Sequence, residues 1–330
     1  SLIQKKDVDN IDFSTVFFFS LAMSLALYAA MFFGAPLIAD FYSAYNRELL
    51  IAVIRVMGIQ IIITAINSVQ SAYVSQTMQF KKNFISTISG TVISAVVGIG
   101  MAYGGYGVWA LVAQYCVSAA TVMVVTWFVI GWRPQLQFSV VRFKKLFSYG
   151  WKIFAASMIK VLYNDLRSIV IGKVYTPADL AYYNKGQSFP QIVETNVGGT
   201  IESVLFPAIA KKQSSKEEML SMLRRAIITS TYIISPMLMA LAAMAEPLIK
   251  VLLTEKWLPS VIYMQILCFS FVLMPVEMDN LQAIKAMGRS DIALKLEIIK
   301  KVVGIVLLIV SIPFGVVAIA LSMLVGSVAN

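Results

Sequence analysis

Residues 107–131 read GVWALVAQYCVSAATVMVVTWFVIG, 25 positions without one Asp, Glu, Lys or Arg. A helix of that length rises about 37 Å at 1.5 Å per residue, which is enough to cross a hydrocarbon layer of ~30 Å. A helix that folds in water shows a charged face, and this run has none. It is expected to cross a membrane.

Outward from this run the same pattern recurs. Helices are expected at 13–40, 49–75, 84–104, 107–131, 147–171, 181–208, 220–245, 261–284, 292–312 and 314–330. Of the 330 residues, 59% are hydrophobic and 13% charged, with a mean hydropathy of +0.79. Soluble domains carry about a quarter charged residues, so lipid is the main solvent here. The expected class is all-α and polytopic, with no room for a separate soluble domain.

A net charge of +10 has two readings, nucleic-acid binding or membrane topology. If the connections alternate sides, 16 Lys and Arg fall on one side, among them Lys5, Lys81, Arg142, Lys144, Lys212 and Arg289; four fall on the other, Arg47, Lys173, Lys250 and Lys256. Basic loops stay in the cytoplasm, so the first set marks that side and the charge is topological. No nucleic-acid partner is expected. Trp109, Trp132, Trp151 and Trp257 stand near expected helix ends, as interfacial aromatics do.

Cys116 and Cys268 lie far apart in apolar runs and the chain has no His, so material for a zinc site, a disulfide framework or a His-based catalytic site is lacking. No nucleophile is paired with a base and no glycine-rich loop has phosphate-cradling spacing. No cofactor and no metal are expected.

Three landmarks repeat at nearly one spacing. Ala35-Pro36-Leu37-Ile38 matches Glu246-Pro247-Leu248-Ile249, Val69-Gln70-Ser71 matches Leu281-Gln282-Ala283, and Gly107-Val108-Trp109-Ala110 matches Gly315-Val316-Val317-Ala318. The last four helices thus repeat the first four, with two between them, giving a six-helix unit. An even number of helices returns the second unit in the same orientation, a parallel repeat of the kind transporters use around a central site. The expected division is an N-terminal bundle at 1–131 with four of six helices, a cytoplasmic connection at 132–146, and a C-terminal bundle at 147–330. Ser1 is not Met, and the repeat predicts on the order of 65 residues before it.

An ionisable side chain at mid-bilayer costs about 2.5–3.5 kcal/mol on insertion scales, so such residues face the bundle interior or water. In the fifth helix Lys160, Asn164 and Arg167 share one face; in the sixth, Gln187, Gln191, Glu194, Gly198 and Glu202 form another stripe. The second helix carries Gln60, Thr64, Asn67 and Ser71 with Arg55 nearby, and the eighth carries Glu277 and Asp279. Structural roles stand beside functional ones: Lys160 can snorkel, and Asp165 can pair with a neighbouring cation. Taken together, the stripes predict a solvated central cavity.

The segments SLIQKKDVDNIDFSTVFFFSL, GYGVWALVAQ and the block from Leu146 to Gln213 resemble the Wzx-type polysaccharide flippases, in the colanic acid and teichuronic acid exporter branch of the multidrug/oligosaccharidyl-lipid/polysaccharide superfamily. The resemblance implies two six-helix lobes in the bacterial cytoplasmic membrane. It further implies transport, by alternating access, of an undecaprenyl-pyrophosphate-linked oligosaccharide to the outer leaflet, with membrane lipid, a polysaccharide polymerase and export machinery as partners. Lys160, Arg167 and Arg55 would then neutralise phosphates, since Arg offers a fork of donors to phosphate oxygens. Asn164, Gln187, Gln191 and Asn67 would bond sugar hydroxyls, and Glu194, Glu202 and Asp279 would carry a coupling ion. A multidrug antiporter of the same superfamily, a membrane-embedded polymerase, ligase or glycosyltransferase, and a membrane scaffold without transport are the alternatives.

Overall fold

The computed structural model describes residues 9–42, 45–77, 79–198, 216–277, 280, 284 and 290–329. Among the described residues there is no strand. The helices are α1 (Asn10–Phe41), α2 (Arg47–Gln76), α3 (Phe80–Tyr103), α4 (Val108–Val129), α5 (Val140–Val174), α6 (Pro177–Val193), α7 (Lys216–Ala243), α8 (Ala245–Leu253), α9 (Ser260–Val272), α10 (Ser290–Ser311) and α11 (Val316–Ala329). A π-turn, Glu194–Gly198, continues α6.

Among the described residues, six segments are long and apolar enough to cross a membrane: Asn10–Phe41, Arg47–Val74, Lys81–Tyr103, Val108–Val129, Ser221–Ala243 and Ser260–Glu277. The other expected crossings are helical but miss that measure of length and apolarity. Helices α5 and α10 have the length, at 35 and 22 residues, but carry Lys and Arg along it; α11 has 14 residues, and residues 199–208 of the expected sixth crossing lie outside the described residues. Large apolar side chains stay outside, including Phe33, Leu37, Val96 and Phe128, while Asp12, Gln70 and many serines are buried. That inversion suits an apolar solvent. Many Ser and Thr return their hydroxyls to the carbonyl three or four residues back, as in Ser86 to Lys82 and Ser230 to Ala226, which satisfies them without water.

Two compact units divide the chain, Ser1–Val161 and Leu162–Asn330. In the first, α2 packs on α1 and on α4, and α4 packs on α3. In the second, α9 packs on α7 and on α11, and α11 packs on α10, with α6 added against α9. The packing order of the last four long helices therefore matches that of the first four. One sequence landmark also shares its backbone: Gly107 before α4 and Gly315 before α11 both have positive φ, 53° and 97°, where a side chain would be strained.

Core placement follows from these contacts. In the second unit Ile171, Tyr183, Leu238, Met264, Leu267, Cys268 and Ile319 form one buried cluster, and Gly186 lets α6 approach α9 closely. A methyl at Gly186 would sit 2.8 Å from the Met264 backbone nitrogen and 2.9 Å from the Ser260 carbonyl oxygen. In the first unit Phe13, Phe17, Val69, Val74, Ile130 and Trp132 cluster where α1, α2 and the connection after α4 meet.

That connection is shorter than expected, because α5 already begins at Val140. Its backbone is pinned at both ends. The Gln135 amide donates to Ser14 Oγ at 2.9 Å, the Ser139 amide donates to Thr15 Oγ1 at 3.3 Å, and Gln70 donates to the Trp132 carbonyl at 3.3 Å. Arg133 donates to the carbonyls of Ile130 and Trp132 at 2.6 and 2.8 Å and to that of Trp127, closing the C-terminal end of α4. Arg142 grips Asp9 at 3.0 Å and Asp12 at 3.3 Å.

Candidate functional site

Arg55 and Asn67 belong to α2, in the first unit. Pro36 lies inside α1 and has no N–H, which leaves the Phe32 carbonyl, four residues back, without its helical donor. Arg55 Nε donates to that carbonyl at 3.3 Å, and its guanidinium lies 4.3 Å from the centre of the Phe32 ring. Gly58, one turn along α2, allows the close approach of Tyr28 and Met31 that brings the two helices into this register. Arg55 is thus half-buried with one donor committed to α1. Asn67 is half-buried, and its Oδ1 has no hydrogen-bond partner. Gln60 reaches Cys116 Sγ of α4 at 3.9 Å, so it joins two helices.

The second unit holds the C-terminal part of α5, from Leu162, and α6. Thr176-Pro177-Ala178-Asp179 starts α6: the Thr176 hydroxyl accepts from the Asp179 amide at 3.2 Å, the Asp179 carboxylate accepts from the Thr176 amide at 3.2 Å, and Pro177 occupies a first-turn position that needs no donor. Ser168 Oγ donates to Asn184 Oδ1 at 2.8 Å and fixes the register. In an antiparallel pair so registered, Arg167 stands roughly level with Lys185, and Asn164 roughly level with Gln187 and Ser188.

Arg167 is half-buried, and its Nε is buried without a hydrogen-bond partner. The Tyr183 hydroxyl, also buried and without one, lies within electrostatic reach of it. Asn164 and Gln191 are exposed, Gln187 and Glu194 half-buried, and Glu194 opens the π-turn. Short π segments in helices recur at functional positions. The Lys160 side chain, Glu202 and Asp279 lie outside the described residues.

Sequence reasoning misses a charge cluster in α10. Lys300 Nζ pairs with Glu277 Oε1 at 2.7 Å, Lys301 Nζ lies 3.8 Å from Glu297 Oε2, and the same ammonium sits 5.6 Å from the Tyr163 ring centre. The Tyr163 hydroxyl comes against Gly304, where an added Cβ would collide with it. The signal was legible: Lys300 and Lys301 stand in the middle of an expected membrane helix, where the insertion penalty applied to Arg167 applies equally.

Chemically, each unit supplies donors of its own, Arg55 and Asn67 in the first and Asn164, Arg167, Gln187 and Gln191 in the second, groups able to bond anions and hydroxyls. A backbone likeness with a TM-score of 0.82, covering 99% of this chain and 72% of the other at 13% identity, joins it to the inward closed conformation of the lipid II flippase MurJ, and this fixes the fold. The chain is 24% identical over 303 residues to the teichuronic acid biosynthesis protein TuaB of Bacillus subtilis, covering 89% of this chain and 60% of TuaB. It is 24% identical over 243 residues to the succinoglycan biosynthesis transport protein ExoT of Rhizobium meliloti, covering 74% and 49%. To the lipopolysaccharide biosynthesis protein WzxC of Escherichia coli it is 22% identical over 303 residues, covering 91% and 61%. The chain spans about 60% of the length of TuaB and of WzxC. Residues 1–262, which take in both pinned loop ends, Arg55 and the whole α5–α6 hairpin, match the sequence model described as polysaccharide biosynthesis protein. The chain is therefore a multi-pass protein of the bacterial cytoplasmic membrane and belongs to the polysaccharide biosynthesis protein family.

Proposed function

We propose that this chain is the greater part of a flippase that carries an undecaprenyl-pyrophosphate-linked oligosaccharide from the cytoplasmic to the outer leaflet by alternating access. The observation that carries the reading is Arg167, a guanidinium inside the α5–α6 hairpin with a buried donor left open. A buried polar group without a partner costs free energy, about 1–3 kcal/mol. A ligand oxygen that takes this donor recovers the cost, so the site favours an anion with several acceptor oxygens.

Roles follow from residue type. Arg167 and Lys160 neutralise the phosphates, and Arg55 adds its two Nη groups, since its Nε serves Phe32. Asn164, Gln187, Gln191 and Asn67 bond sugar hydroxyls. Glu194, Glu202 and Asp279 are the candidates for a coupling ion. The polyprenyl tail stays in lipid, against the apolar outer faces. The shared packing order within each unit, with Gly107 and Gly315 alike, supports an internal repeat.

The test uses the complete protein in vesicles loaded on one side with a fluorescent polyprenyl-pyrophosphate oligosaccharide. Arg167→Ala is expected to slow transfer about tenfold, a loss of ~1.4 kcal/mol. Arg167→Lys should fall between, because it keeps the charge and loses the fork. Absence of transfer by the unaltered protein, together with movement of small organic cations, would replace this reading by the antiporter.

A further inference from the structure

The Glu277–Lys300 pair is placed where a purely stabilising ion pair gains little. Lys300 is the eleventh of the 22 residues of α10, about 15 Å from either end of that helix. Taking two charges out of water costs as much as their attraction returns, so such a pair is weak evidence of a stability device. Its two ends also differ. The Lys300 side chain is 16% exposed and Glu277 is 34% exposed, so the carboxylate is the more open end of the pair.

From this asymmetry we infer that Glu277 is a displaceable latch on Lys300: it occupies the ammonium while the passage is empty and yields it to a phosphate of the lipid headgroup in transit. The inference rests on the reading that the substrate bears a phosphate. A carrier of anions needs a cation at mid-membrane when loaded, yet an unpaired ammonium there costs about 2.5–3.5 kcal/mol when empty. A tethered carboxylate offsets that cost and remains exchangeable. The Lys ammonium is a compact point charge with three donors, able to pass from one oxygen ligand to another without the planar match a guanidinium demands. Glu277 is carried by the helical residues 274–277 that follow a turn at Leu273, and one turn beyond Lys300 the Tyr163 hydroxyl comes against Gly304 of α10. Lys301, paired with Glu297 on its own helix and lying on Tyr163, keeps its position whichever partner Lys300 holds.

The experiment measures binding of farnesyl pyrophosphate to the detergent-solubilised chain, with farnesol as the uncharged control and the melting temperature recorded for every variant. Glu277→Gln removes the competitor and should tighten binding about five- to tenfold, while Lys300→Gln should weaken it by about the same factor, the lower range of coupling between linked sites. Opposite signs support the latch. Equal losses in both variants, with binding restored in the charge-exchanged double variant Glu277→Lys/Lys300→Glu, make the pair a structural tie and overturn it. If the unaltered chain does not distinguish farnesyl pyrophosphate from farnesol, the phosphate-bearing substrate itself is overturned, and that outcome is separate from the first.

Discussion

At the scale of single residues, the cations of the membrane helices are not equivalent, and only their surroundings tell them apart. Arg55 fills a carbonyl that Pro36 sets free, so its importance depends on the proline. Arg55→Ala should lower stability by about 1–3 kcal/mol, the cost of a buried acceptor left unsatisfied. In a Pro36→Ala background, where the backbone regains an N–H at that position to serve the Phe32 carbonyl, the same change should cost clearly less, and melting curves of the four proteins read the coupling. Equal losses in both backgrounds would remove the link. The exposed pair Glu246–Lys250 at 2.8 Å behaves differently. Its hydrogen bond to Lys250 holds the Glu246 carboxyl below the usual carboxylate range, so whatever it contributes is present at neutral pH and lost as pH falls through that lowered value. Being solvent-exposed, it is screened, and Glu246→Gln should leave the melting temperature unchanged at neutral pH in about 150 mM salt, where the screening length is ~8 Å.

At the scale of elements, helix existence was legible and helix starts were not. Charge-free stretches such as 107–131 exceed the length of any buried soluble strand or short helix, so composition alone identifies them. The start of α6 lies four residues before the expected 181, because the Thr176–Asp179 capping box opens the helix ahead of its apolar residues. The start of α5 is earlier too, because Arg142 is held by Asp9 and Asp12, residues more than a hundred positions away that no local pattern reveals. Close helix approach is likewise a matter of context. Gly186 faces backbone atoms of α9, whereas Gly304 faces the far end of the Tyr163 side chain. Gly186→Ala should therefore cost the ~1–3 kcal/mol typical of overpacking, and Gly304→Ala less, since a flexible phenol can swing aside. Thermal unfolding in detergent ranks the two; the reverse order would mean that α6 shifts along α9 more easily than Tyr163 turns.

At the scale of the whole chain, the class was legible because a lipid solvent inverts the ordinary distribution of side chains, and that inversion shows in composition. The polar stripes on the fifth and sixth helices remain a proposal from sequence, argued from the insertion penalty that several charges facing acyl chains would sum to. Pairing was not legible. Ser168 with Asn184, Arg55 with Phe32 and Lys300 with Glu277 each join residues on different helices, and the partner is set by packing rather than by spacing. The central claim is that the polar face of the α5–α6 hairpin meets water inside the membrane. Replacing Cys116 and Cys268 by Ser and placing single cysteines at Asn164, Gln187 and Gln191, with Phe128 as the control for an 83% exposed side chain on an apolar helix, gives a direct reading with a charged, membrane-impermeant maleimide. The three hairpin positions should react in intact vesicles of the complete protein while the Phe128 position stays unmodified; hairpin cysteines as inert as the one at Phe128 would contradict the account.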